Sequence, residues 1–166
     1  IDLRAERRLT RTDIKGAVCK IAPWAAQIVS VPREAKIRPD SEMAAIASLP
    51  YLLAVALHQG SVTLDALEVS ARIDQAILNL AAHLQHQEDP DLGDGFDGVL
   101  QVDLVDGERI AVDVTSAPPN LEKLLAKFRS NAQRGAPDHA VASLEEAAVG
   151  SALPDCKKIF EIIQQW

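Results

Sequence analysis

The sequence predicts an α+β domain, with a mostly antiparallel sheet of about four strands, helices packed on one face and further helices at the C-terminus. Three features carry that prediction. Val99 to Val105 and Glu108 to Val114 alternate in polarity around Asp106-Gly107, which is a hairpin signal. Ser48 to Gly60 has no polar face, so it reads as a buried helix. Leu121, Leu124, Leu125 and Phe128 fall at i, i+3, i+4 and i+7, the stripe of a helix that covers something, here expected to be the sheet.

Taken in order, Ile14 to Ile21 reads as a first strand, stopped by Pro23. The stretch through Pro32 and Pro39 reads as a loop or an edge, because prolines resist a hydrogen-bonded ladder. Residues 41 to 59 read as helical with a break near Ser48 to Pro50. Ser48 can cap the free amides, Pro50 suits a first turn, and Gly60 sits where a left-handed residue ends a helix. Thr63 with Asp65 starts a short helix, and Asp74 starts another whose apolar side holds Ile77, Leu78 and Leu80. Leu84 to Glu88 is a weak strand.

The hairpin register follows from parity. For Leu100, Val102 and Leu104 to share a face with Ile110, Val112 and Val114, paired residue numbers must sum to an even value. A two-residue Asp-Gly loop violates this. A three-residue loop of Val105, Asp106 and Gly107, with Gly107 left-handed, satisfies it. Beyond it, Asn120 caps Leu121 to Asn131, and two further helices, Asp138 to Val149 and Pro154 to Gln165, are separated by Gly150-Ser151.

Composition points to one domain spanning residues 1–166: 48% of residues are hydrophobic and 25% charged, with a formal net charge of −7. That charge and a pI near 5.0 disfavour nucleic acid, which needs a basic stripe. No apolar run is long enough to span a bilayer, and no signal peptide is visible, so no membrane is expected and the cytoplasm is the expected location. Cys19 and Cys156 are two lone thiols, expected to be reduced and not nucleophilic. His83 and His86 would point to opposite faces of a strand and lack partners for a metal site, so no metal is expected. Gly93-x-Gly95 lies in an acidic loop that would repel phosphate. No cofactor is expected.

Tyr51 is the only polar handle on the apolar helix. A phenol buried there needs a partner, either a carbonyl of the core or a ligand. The stretch around it also carries a resemblance. Thr12-Asp13-Ile14, Ser48-Leu49-Pro50-Tyr51, Gly60-Ser61-Val62-Thr63, Val102 to Arg109 and Leu124 to Arg129, in this order and spacing, resemble the C-terminal part of the MmgE/PrpD family. That family includes 2-methylcitrate dehydratase, cis-aconitate decarboxylase and iminodisuccinate epimerase.

The resemblance implies a two-domain lyase in which an all-helical domain holds most catalytic residues and a smaller α+β domain closes over the site as a lid. This chain, starting at Ile1 and 166 residues long, is expected to be the lid, with the helical domain absent. Its lysine and histidine motifs have no counterpart here. Only Tyr51 carries over, as the family tyrosine that reaches the substrate. In that role its hydroxyl should open on a concave surface, whereas a core tyrosine would be sealed against a carbonyl.

The implied substrate is a small polycarboxylate, acted on once the helical domain is supplied. The alternatives are a stand-alone subunit that completes another polypeptide's site, and a non-catalytic binding or assembly module of the same fold. Ile159, Phe160, Ile162, Ile163 and Trp166 form an apolar stripe expected to meet a partner helical domain or a second copy. Ser116 to Asn120 departs from the longer Gly-x-Pro-x-Asn-Pro connection of many relatives, which leaves the substrate unnamed.

Overall fold

A computed structural model describes residues 11–115, 120–150 and 154–165. The Ser116 to Pro119 departure and Trp166 lie outside the described residues. The chain divides into two compact units, Ile1–Ser116 and Ala117–Trp166.

The first unit is built on a four-stranded sheet of β1 (Ile14–Ile21), β2 (Leu84–Glu88), β3 (Gly98–Leu104) and β4 (Arg109–Val114), in the order β2-β1-β3-β4. The β1–β3 and β3–β4 pairings are antiparallel. The β1–β2 pairing is parallel, which makes the sheet mixed. A parallel neighbour needs a crossover, and the helices between Ile21 and Leu84 supply it.

The hairpin keeps the derived register. Leu100 faces Val112 and Val102 faces Ile110. The Leu104 amide donates to the Glu108 carbonyl at 2.8 Å, leaving Val105, Asp106 and Gly107 as the loop. Gly107 has φ 93°, a left-handed conformation that a side chain resists. Asp106 Oδ1 accepts from the Glu108 amide and holds the turn closed.

Helices α1 (Pro23–Val29) and α2 (Arg33–Ile37) occupy the stretch where prolines suggested a loop or edge. The reason is position: Pro23 stands in the first turn of α1 and Pro32 just before α2, places where a missing N–H costs nothing. Next come α3 (Glu42–Ile46), α4 (Leu49–Gln59), a 3₁₀ turn at Leu64–Leu67, α5 (Val69–Arg72) and α6 (Gln75–His83). The side chains of Ser41, Ser48, Thr63 and Asp74 cap α3, α4, the 3₁₀ turn and α6, and Gly60 ends α4 at φ 84°.

Two rows of facing residues cross the sheet: Leu84, Ala17, Val102 and Ile110, and beside them His86, Cys19, Leu100 and Val112. Against these rows lies the core, which includes Tyr51, Ala54 and Val55 of α4 and Ile77, Leu78 and Ala81 of α6. Helices of residues 42–83 therefore cover this face of the sheet. Facing rows on one side, with helices over them, are what the predicted alternation requires. A further tie holds the acidic loop after β2: Trp24 Nε1 donates to the Gly93 carbonyl at 3.2 Å, and its ring meets Phe96 edge to face at 5.1 Å.

The second unit holds α7 (Leu121–Ala132), α8 (Asp138–Val149) and α9 (Cys156–Gln165). Asn120 caps α7 through the Lys123 amide. Arg129 of α7 grips Glu145 of α8 with Nε and Nη2, and Lys158 of α9 reaches Glu146 of α8 at 3.3 Å. The α9 stripe thus has a neighbour in α8, while Phe160 and Ile163 stay exposed. Among the described residues no helix is long and apolar enough to cross a membrane.

Candidate functional site

Tyr51 stands in the first turn of α4 because the sequence before it fixes the helix start. Ser48 Oγ accepts from the Tyr51 amide at 3.2 Å and donates to the Lys36 carbonyl, so the cap is itself anchored to α2. Lys36 Nζ in turn donates to the carbonyls of Ile28 and Ala47. This network ties the ends of α1, α2 and α3 to the N-terminus of α4.

From that fixed start the phenol points into the core, and Tyr51 is 0% exposed. Its hydroxyl donates to the Ala66 carbonyl at 2.5 Å, in the 3₁₀ turn Leu64–Leu67. Of the two arrangements expected for this residue, the structure has the one sealed against a carbonyl. Burial pushes the phenol's pKa up, Arg72 partly opposes it and Asp74 adds to it. The hydroxyl is therefore neutral at neutral pH, a donor rather than a base. Arg72 spends its Nε on the Leu67 carbonyl at 3.0 Å, which braces the same turn from its far end.

A second feature adjoins the same helix start on its other side. A narrow crevice, with room for about one water, lies between β1, β2, α1, α2 and α4, with Cys19, Ser30, Arg33, Pro50, Leu84 and His86 among the residues that line it. Cys19 is buried, and burial raises its thiol to about 11, so it stays protonated at neutral pH. Cys156 is also free, and exposed.

No local motif announced this crevice. Its residues come from four separate stretches, and only their convergence makes a site. The four histidines lie on separate elements. His83 Nδ1 lies 2.7 Å from the Asn79 carbonyl at the end of α6, His86 is in β2, His58 is in the last turn of α4, and His139 is in the first turn of α8. Among the described residues no three of His, Cys, Asp and Glu come together to hold a metal.

Compared with known proteins, residues 1–151 match the MmgE/PrpD C-terminal domain. No curated protein matches the chain.

Proposed function

This chain belongs to the MmgE/PrpD family, and on that premise we propose that it acts as the lid domain of a lyase for a small polycarboxylate, of the 2-methylcitrate dehydratase kind. The family match over most of the chain carries the reading. In this reading a base on an all-helical domain removes a proton next to a carboxylate, and water or carbon dioxide then leaves. Tyr51 is the residue this chain contributes. It is protonated, fixed at the positive end of an 11-residue helix, and so suited to donate toward developing negative charge.

Reaching substrate requires the Leu64–Leu67 turn to release the hydroxyl from Ala66. A single 3₁₀ turn is the kind of element that opens at low cost, and its Leu64 and Asp65 are already exposed. Without the helical domain the chain lacks the base and is inactive. Association with that domain, or with a second copy, belongs to the same proposal, as does a cytoplasmic location.

One observation favours a second reading. A hydroxyl already satisfied inside the core is what a non-catalytic binding or assembly module, or a stand-alone subunit with the same fold, would show. The test is to combine the chain with a helical domain of the family and assay 2-methylcitrate and cis-aconitate with and without Tyr51→Phe. Turnover that drops at least tenfold with the substitution supports the lid reading. Turnover unaffected by it removes Tyr51 from the site.

A further inference from the structure

Ser30 Oγ is a buried hydroxyl with no hydrogen-bond partner among the described residues, and Ser30 is 2% exposed. Its amide is satisfied, donating to the Ala26 carbonyl at 2.9 Å at the end of α1, so only the hydroxyl is left over. A hydroxyl withdrawn from water and left unbonded costs stability, and buried polar groups in folded proteins nearly always have a partner. Ser30 lines the crevice beside the start of α4.

Arg33 lines the same crevice with donors to spare. Its Nη2 donates to the carbonyls of Ala82 at 2.8 Å and Leu84 at 3.0 Å, which fixes the guanidinium against the end of α6 and the start of β2. A guanidinium also carries N–H donors on Nη1 and Nε, and these make no hydrogen bond to the described residues. Cys19 and His86 are register partners across β1 and β2, and both line the crevice. The Cys19 thiol is protonated, and its sulfur is a weak acceptor. Leu49, Pro50 and Leu53 of α4 supply an apolar wall. The space has room for about one water, and a water is held where about two to four polar partners converge.

From this convergence we propose that the crevice is a binding site for one ordered water molecule, which bridges the Ser30 hydroxyl and the Arg33 guanidinium beside the first turn of α4. The water oxygen accepts from the Ser30 O–H and from an Arg33 N–H, and its own hydrogens are offered to Cys19 Sγ and the His86 ring. The bridge gives Ser30 its partner and links the end of α1 and the start of α2 to β1 and β2. It therefore braces the start of the Tyr51 helix on the side away from the Ala66 bond. A halide is the nearest rival, because Arg33 is cationic and no Asp or Glu lines the space, but a halide is wider than a water. The water site is independent of the lyase reading, since it is measured without substrate or turnover.

Two measurements on the full chain test it. The first is the stability of Ser30→Ala, and its sign decides. If a water bonds the hydroxyl, removing the hydroxyl loses a satisfied bond, and the folding equilibrium constant is expected to fall about threefold to tenfold. If the hydroxyl is unbonded, removing it lifts a desolvation penalty and the constant rises. The second is a crystal structure from chloride-containing solution, with data collected at a long wavelength where chloride scatters anomalously and water does not. One density peak is expected within about 2.7–3.2 Å of both Ser30 Oγ and an Arg33 nitrogen, without anomalous signal. An unchanged or raised folding constant in Ser30→Ala, a crevice without a peak, or an anomalous peak that marks a halide would each overturn the proposal.

Discussion

The hydroxyl of Tyr51 donates to the carbonyl of Ala66 at 2.5 Å, joining two fully buried residues 15 positions apart. The bond staples the 3₁₀ turn to the start of α4. Tyr51→Phe keeps the ring but leaves the Ala66 carbonyl buried without its donor, and is expected to lower stability by about 1–2 kcal/mol. Denaturant unfolding of the two proteins measures this, and a loss under about 0.5 kcal/mol would mean that the hydroxyl spends its time elsewhere.

Cys19 gives a pH dependence with a definite sign. Its thiol titrates near 9.0 when unfolded and at about 11 in the fold, so between those values the folded state holds the proton more tightly. Stability from this group is intact below pH 9 and declines as pH rises toward 11, by about 2–3 kcal/mol in all. Comparing the alkaline slope of the parent with that of Cys19→Ala isolates the effect from other groups. In the same vein, a thiol reagent at pH 8 should modify exposed Cys156 readily and Cys19 only after unfolding. Equal rates at both thiols would contradict the burial.

Gly107 closes the β3–β4 hairpin at φ 93°, where its loop leaves open space around the missing side chain. Any loss on substitution is therefore conformational rather than steric crowding. Gly107→Ala is expected to cost roughly 1–2 kcal/mol. Gly107→Asn should cost less, because Asn tolerates left-handed backbone. Thermal unfolding of both variants checks the order.

Much of the first unit was legible because its signals are local. Ser41, Ser48, Thr63 and Asp74 each carry an oxygen at a helix start, and each caps one. The hairpin was legible down to its loop, since face alternation allows only one parity. The helices at Pro23–Val29 and Arg33–Ile37 were missed because proline blocks a strand yet begins a helix, and position alone separates those meanings. The parallel placement of β2 was not legible, for a short polar strand carries no mark of its neighbour. At the site, the burial of Tyr51 could be read from its apolar helix, but its partner Ala66 could not. The crevice was illegible for the same reason: Cys19, Ser30, Arg33 and His86 meet only after the sheet and three helices have packed.

The last prediction concerns activity of the chain by itself. Proton abstraction next to a carboxylate needs a base held within reach of the carbon acid, and alignment of the two supplies much of the rate. In the first unit the candidate Tyr51 is protonated and committed to Ala66, and Cys19 is protonated. His83 is 2.7 Å from the Asn79 carbonyl at the end of α6. Tyr51 and Cys19, both protonated, cannot take a proton from an acid. The purified chain is therefore expected to leave 2-methylcitrate and cis-aconitate unchanged against a buffer control. A product signal above buffer that vanishes with Tyr51→Phe would show that the 3₁₀ turn opens unaided and that the chain carries its own base.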